Sequence, residues 1–139
     1  MKRINRLAIP FYIGVVVDAF AAIALLTPAN SPIRAAAYPG AIASQLDFAD
    51  GTRTAFGLMV GWTVLLAWAA RRPIERRAIL LLTALPVVPG LMLGELLDVS
   101  GNHATGAGTA QTLVVQAVLI AIFVGGYVAA GRAERAARE

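Results

Sequence analysis

The chain has no cysteine, a single histidine and few charged residues. Without cysteine it can form neither a disulfide nor a thiolate-based metal or haem site, and the lone His103 excludes bis-histidine haem ligation. Aspartate, glutamate, lysine and arginine make up 14% of its 139 residues, against about 25% in a soluble domain. A phosphate-binding loop and a nucleophile motif are also missing. The sequence therefore predicts no cofactor and no metal site.

Hydrophobic residues, by contrast, account for 58% of the chain, which is typical of an integral membrane protein. Four apolar stretches are long enough to cross a bilayer as helices, and the second, with 17 residues, is near the lower limit. These stretches cover residues 7–26, 54–70, 78–97 and 110–130. We therefore predict an all-α fold, in which residues 1–139 form a single domain, a four-helix transmembrane bundle.

The basic residues predict the orientation of this bundle. Ten of the twelve precede the first stretch, connect the second to the third, or follow the fourth. The positive-inside rule places these segments, and both termini, in the cytoplasm, so we predict a multi-pass protein of the inner (plasma) membrane. We expect the first stretch to be an uncleaved anchor, because it is longer than the apolar core of a signal peptide.

The connections between the stretches differ in kind. A tight basic turn at residues 71–77 predicts that the second and third stretches form an antiparallel hairpin. In the first outer loop, residues 41–49 fit either a short helix at the membrane interface or a flexible linker. The second outer loop, residues 100–109, is rich in glycine and small polar residues.

Small residues and prolines predict how the helices pack. The second and third stretches each contain two glycines at the small-xxx-small spacing, namely Gly57 with Gly61 and Gly90 with Gly94. Such pairs let helix backbones approach closely, so we expect the two helices of the hairpin to pack through them; a homodimer face is the alternative. In the third stretch, Pro86 and Pro89 predict a bend.

Asp18 is the only charged residue in the first apolar stretch, and it lies near the middle. A carboxylate at that depth costs roughly 2.5 to 3.5 kcal/mol on insertion scales, so its presence calls for a partner or a function. Its neighbours at helical spacing include Gly14, Ala21 and Ala22, a small-residue seam of the kind that faces other helices. As the deepest carboxyl group, Asp18 is the one we expect to hold a proton.

Other polar residues are expected in the outer half of the bilayer, and together they suggest a polar pocket that opens outward. Its predicted members are Asp18, Arg53, Glu95 and Gln116, with Asp98, Gln111 and Thr112 near the mouth. Each also has a purely structural interpretation. Asp18 could form a bond that fixes the register of two helices, and Gln116 could serve helix association. Arg53 could be an interfacial anchor, and the acidic pair Glu95 and Asp98 could form a solvated helix end. A metal site on His103 and the acidic pair is disfavoured, because a glycine-rich loop imposes no ligand geometry.

Three classes of function are compatible with these observations. The first is binding or transport of a small, partly lipophilic molecule in the pocket. The second is an accessory or assembly subunit of a larger membrane complex, with the glycine faces as contacts. The third is an intramembrane enzyme with Asp18 or Glu95 as general acid or base, which has only the carboxylates in its favour.

The expected partners follow from the same observations. They are membrane lipids, a small lipophilic ligand, and either further copies of the chain or a larger complex. Nucleic acid is not an expected partner, because the basic residues are split between short segments without an aromatic platform.

Overall fold

A computed structural model of the chain describes residues 6–28, 30–39, 49–100 and 105–139, and these residues form helices and no strand. The predicted all-α fold is confirmed over this part of the chain. The helices are α1 (Ile9–Leu25), which a 3₁₀ turn (Arg6–Ala8) precedes, α2 (Pro32–Ala37), α3 (Ala49–Ala69), α4 (Ala78–Leu82), α5 (Val88–Ser100) and α6 (Gly106–Ala136). A π-helical turn, Thr83–Val87, joins α4 to α5.

Three segments are long and apolar enough to cross a membrane: Arg6–Leu25, Ala78–Ser100 and Gly106–Ala136. Within α3, the segment Arg53–Ala69 is apolar but shorter. By length and composition, these three segments suggest a membrane protein. The short interfacial helix considered for residues 41–49 falls almost entirely outside the described residues, as does His103.

The buried core lies at one end of the molecule, which we call the basic end. There the Arg6–Ala8 turn, the connection between α3 and α4, and the C-terminal part of α6 come together. Phe11, Leu66 and Leu80 are the largest fully buried side chains, and Phe123 packs with them. At the opposite end, which includes α2, the last turns of α5 and the first turns of α6, the described residues contribute no member of this apolar core.

Two glycines make the close helix packing at the basic end feasible. A Cβ atom added to Gly126 would lie 2.7 Å from Cγ of Pro10, so only glycine lets α6 approach α1 there. A Cβ atom on Gly14 would lie 3.0 Å from Cδ1 of Leu66 and 3.1 Å from Cζ of Phe123. Gly14 therefore marks the position where α1 is in contact with both α3 and α6.

The four glycines at the small-xxx-small spacing, unlike Gly14 and Gly126, do not lie against a neighbouring helix. A Cβ atom at Gly57, Gly61, Gly90 or Gly94 would meet nothing within 4 Å, and all four residues are exposed. The main packing partner of α3 is α1, and that of α5 is α6. The expectation that the hairpin helices pack through these glycines is therefore corrected, because α3 uses its other face.

A π turn lies where the prolines predict a bend. Pro86 lies inside this turn, and Pro89 follows it in the first turn of α5. Thr83, at the start of the turn, is buried and donates to the carbonyl oxygen of Ile79 at 2.8 Å. Its Oγ1 also accepts a hydrogen bond from Nε1 of Trp62 at 3.3 Å, which links α3 to the π turn.

Charged side chains at the basic end connect α6 to the turn between α3 and α4. Arg77 pairs with Glu134, and Arg138 pairs with the same carboxylate at 2.6 Å. The guanidinium of Arg76 lies 3.3 Å from the ring centroid of Trp68, in cation–π contact. Of these contacts, the Arg77–Glu134 pair holds the C-terminal part of α6 against the basic turn.

Candidate functional site

Asp18 lies on the face of α1 that packs on α3. It follows Gly14 by one turn, and Gly14 is opposite Leu66, so the antiparallel helices bring Asp18 opposite Thr63. The Oγ1 atom of Thr63 lies 2.8 Å from Oδ2 of Asp18. Asp18 is therefore half-buried in a helix–helix seam, as its small neighbours indicated, and has a specific polar partner.

The hydroxyl of Thr63 lies between two oxygen atoms. Its Oγ1 is 2.8 Å from Oδ2 of Asp18 and 2.8 Å from the carbonyl oxygen of Met59. Because a threonine hydroxyl has one proton, it can donate to only one of them. If Asp18 carries a proton, it donates to Thr63, Thr63 donates to Met59, and both short distances are hydrogen bonds. In either protonation state of Asp18, the pair keeps one hydrogen bond between α1 and α3.

Tyr38, which follows α2, brings a second hydroxyl to the same seam. Its Oη donates to the carbonyl oxygen of Ala21 on α1 at 3.2 Å and lies 3.7 Å from the Sδ atom of Met59 on α3. Tyr38 thus fixes the segment after α2 to both helices, close to the Asp18–Thr63 pair.

The electrostatics of Tyr38 show which charges surround it. Burial raises the pKa of Tyr38 to about 12; the positive charge of Arg34 opposes this shift, whereas Asp18 and Glu95, when ionised, add to it. The charge of Arg34 and those of the two carboxyl groups thus act on the Tyr38 hydroxyl in opposite directions.

Arg34 is the only charged side chain among the described residues that is buried, with 7% of its surface exposed. It lies on α2, which begins with Ser31 as N-cap and Pro32 as first residue, and Ser31 Oγ accepts the backbone N–H of Arg34 at 3.1 Å. Its Nη1 donates to the carbonyl oxygen of Thr27 at 3.1 Å, beyond the C-terminal end of α1, where the helix dipole favours a cation.

The remaining donors of Arg34 are unsatisfied. Its Nε and Nη2 atoms are buried without a hydrogen-bond partner, and no carboxylate of the described residues forms an ion pair with it. A guanidinium group stays protonated in proteins, so this charge cannot be neutralised by losing a proton.

The other predicted charged members of the site are placed less centrally. Glu95 is half-buried on α5, on the same side as Val88 and Met92, which pack on the core. Asp98 and Arg53 are exposed. Of the predicted ionisable members, Asp18 and Glu95 are therefore the two that are half-buried.

The polar residues of α6 fall on two faces. Gln116 and Thr109 are buried, with 8% and 3% exposed, and neither Gln116 Oε1 nor Thr109 Oγ1 has a hydrogen-bond partner. Thr112 is half-buried and donates to the carbonyl oxygen of Gly108 at 3.2 Å, whereas Gln111 is exposed. Gln116 thus offers an unused acceptor inside the bundle.

A groove of about 310 Å³ lies between α1, the α2 segment and α6 at the end opposite the basic end. Eight of the ten lining residues are apolar, and the two polar ones are Gln111 and Thr112, both predicted for the mouth of the site. The lining consists of Val16, Val17, Phe20, Ala21, Ala36, Ala37, Pro39, Gln111, Thr112 and Val115. Such an apolar lining with few polar groups is typical of small-molecule sites.

The groove and the Asp18 cluster lie on two sides of the same stretch of α1. Val17 lines the groove next to Asp18, and Ala21 lines it while its carbonyl oxygen accepts the Tyr38 hydroxyl. Pro39, directly after Tyr38, also lines the groove. The segment after α2 therefore contributes both to the groove and to the cluster around Asp18.

Three residues of this region were not predicted from the sequence: Arg34, Tyr38 and Thr63. Thr63 lies in the middle of an apolar stretch, five residues from both Leu58 and Trp68. Only the pairing of α1 with α3 reveals its contact with Asp18. Arg34 and Tyr38 belong to a loop whose path the sequence does not specify. The small residues around Asp18 are the one sequence feature that indicates the contact between Asp18 and α3.

Among the described residues no group of three or more His, Cys, Asp or Glu side chains is arranged to hold a metal ion. Comparisons with protein-family models, with curated proteins and with solved structures found no match for this chain.

Proposed function

We propose that this protein binds or translocates a small, partly lipophilic molecule at the end of the bundle opposite the basic end. The groove between α1, the α2 segment and α6 carries this proposal, because it combines an apolar lining with an amide and a hydroxyl group. The Asp18–Thr63–Tyr38 cluster behind α1 supplies ionisable and hydrogen-bonding groups close to it.

The proposal includes the membrane arrangement predicted from the sequence. The molecule would be a four-helix transmembrane bundle in the inner (plasma) membrane, with α3 as the fourth span. Its basic end and both termini would face the cytoplasm, and the groove would lie in the outer half of the bilayer. The gathering of basic residues at one end supports this orientation through the positive-inside rule.

A groove-filling variant tests the proposed binding. Ala36→Trp places a large side chain in the groove, whereas Ala35→Trp changes a neighbouring exposed residue of α2 that does not line it. We expect equilibrium dialysis of labelled 1-decanol against amphipol-solubilised protein to show retention by the wild type and by Ala35→Trp, and a loss of several-fold in Ala36→Trp. Equal retention by all three proteins, or none by the wild type, would contradict the proposal.

A second candidate function is assembly with another membrane helix. It is favoured by the exposed glycine pairs of α3 and α5, since small-xxx-small faces without a partner in the chain suit helix association. The cysteine-free chain allows a direct test, in which single cysteines replace Gly61, Gly94 or, as a control on α6, the exposed Val118. Oxidative cross-linking in membranes at either glycine position, but not at Val118, is expected for a homodimer.

A further inference from the structure

We propose that Arg34 and the groove together bind a single-chain amphiphile with a carboxylate head group, the head on Arg34 and the chain along α1. This inference rests on the proposed function and names the ligand class for that site. It begins from the two buried donors of Arg34 that have no partner.

The unsatisfied atoms of Arg34 determine the chemistry of the head group. Nε and Nη2 lie on one edge of the planar guanidinium, and two parallel N–H donors on one edge match the two oxygens of a carboxylate. The third nitrogen, Nη1, is held by the carbonyl oxygen of Thr27, which orients the plane. A buried cation without a counter-charge is costly, so an anion on this edge would relieve a penalty that already exists.

The position of Arg34 determines where the rest of the ligand lies. Ala37 is one helical turn from Arg34 on α2, and it lines the groove with Ala36 and Pro39. The apolar surface continues from the groove along α1 through Val16 and Val17, which also border a second open surface. That surface extends to Ile13, Tyr12 and Ile9. A head group at the end of α1 thus leaves a continuous apolar path for one hydrocarbon chain.

The surrounding charges do not supply the missing anion. Asp18 and Glu95 act on Tyr38, but neither forms an ion pair with Arg34. We expect Asp18, the deepest carboxyl group, to be neutral, which lowers the repulsion that an anionic ligand would meet. One chain and one carboxylate also suit a groove of about 310 Å³ better than a two-chain phospholipid does.

Four ten-carbon probes of different head group test the inference: decanoate, 1-decanol, decyl phosphate and decyltrimethylammonium. In equilibrium dialysis at pH 7.5 we expect the wild type to retain decanoate roughly tenfold or more above decanol, because a charge-assisted hydrogen bond contributes about that much. Arg34→Gln should remove this preference while keeping the retention of decanol. Arg132→Gln, which changes an exposed arginine at the basic end, should leave the preference unchanged.

Arg34→Lys is the second variant, in case Arg34→Gln does not fold. Lysine keeps the charge and can donate to Thr27, but it lacks the two-donor edge, so we expect most of the decanoate preference to be lost. An unchanged preference in either variant, equal retention of decanoate and decanol by the wild type, or stronger retention of decyl phosphate or the cationic probe would overturn the inference. If the wild type retains none of the probes, the proposed function itself fails; if it retains decanol without preferring decanoate, only this inference fails.

Discussion

At the scale of single residues, the partner of Asp18 among the described residues is a hydroxyl group and not a cation. Its contact with Thr63 crosses the seam between α1 and α3. A hydroxyl partner does not compensate a full negative charge in a medium of low dielectric, whereas it pairs well with a neutral carboxyl group. The bond therefore connects two helices, and we expect Asp18 to be neutral in it.

The protonation of Asp18 can be observed directly. We expect the infrared spectrum at pH 7 to contain the carbonyl stretch of a protonated carboxylic acid, and Asp18→Asn to abolish this band. Asp98→Asn serves as the control, because Asp98 is exposed and has no such partner among the described contacts. A wild-type spectrum without the band, or a band that persists in Asp18→Asn, would show that Asp18 is ionised.

Tyr38 provides a test of the seam at alkaline pH. Its pKa of about 12, raised by burial, lies above the ordinary value of about 10, so the folded protein binds the phenolic proton more tightly than the unfolded chain does. The resulting stabilisation is complete below about pH 10 and is lost as the pH rises through about 12. We expect the difference between the ultraviolet titrations of the wild type and Tyr38→Phe to show one ionisation near pH 12.

The same subtraction on denatured protein is the control for Tyr38, and there the ionisation should fall near pH 10. A difference curve near pH 10 in the folded protein would mean that Tyr38 is not buried between α1 and α3.

Some of these residue contacts could be predicted from the sequence and others could not. The isolated charge of Asp18 and its small neighbours indicate a helix contact, because helical periodicity determines which residues share a face. They do not identify Thr63, since the choice of α3 as partner depends on the whole bundle. The sequence favours Arg53 as the arginine of the pocket and gives Arg34 no such role, and only the fold of the loop makes Arg34 buried and Arg53 exposed.

At the scale of helices, spacing alone did not distinguish glycines that pack from glycines that do not. Gly57 and Gly61 have the small-xxx-small spacing and face outward, whereas Gly14 and Gly126 contact neighbouring helices. The spacing describes a face, but which face is used depends on where the neighbouring helices lie. Helix existence and type, by contrast, follow directly from apolar length and composition.

For these two sets of glycines we expect substitution by alanine to change the stability of the protein in opposite directions. Gly126→Ala should destabilise the protein by about 1 to 3 kcal/mol, because the rigid ring of Pro10 cannot move away from a Cβ atom at 2.7 Å. Gly57→Ala should be neutral or stabilise by up to about 1 kcal/mol, since alanine is the better helix former and meets nothing.

Unfolding of the two glycine variants in mixed micelles, followed by circular dichroism, measures the difference. A Gly126→Ala protein as stable as the wild type would show that α1 and α6 are farther apart than described. A marked loss in Gly57→Ala would reveal a partner helix on that face.

At the scale of the whole molecule, packing is uneven along the bundle axis. The basic end holds the apolar core, the tight glycine contacts and the Arg77–Glu134 pair. The opposite end holds the groove and the buried polar atoms of Arg34, Thr109 and Gln116 that lack partners. Stability and the proposed binding are thus carried by different ends of the same helices.

Single cysteines in the cysteine-free chain test the four-span orientation. We expect a membrane-impermeant maleimide to label Asn30→Cys and Thr105→Cys on intact spheroplasts, and to label Glu75→Cys and Glu139→Cys only after the membrane is opened; all four positions are exposed. Labelling of Glu75→Cys on intact spheroplasts together with Asn30→Cys would mean that α3 does not cross the membrane, which leaves three spans.

The π turn at Thr83–Val87 has a consequence for insertions and deletions in this chain. Leu80, Ala84, Val88 and Met92 follow one another at intervals of four, which drift around a regular α-helix by about 40° at each step. The wider π turn accommodates one extra residue, and this cancels the drift. All four residues, and Glu95 after them, therefore face the inside of the bundle. A homologue one residue shorter within the turn would keep Glu95 in place, whereas the same deletion later in α5 would rotate Glu95 by about 100°.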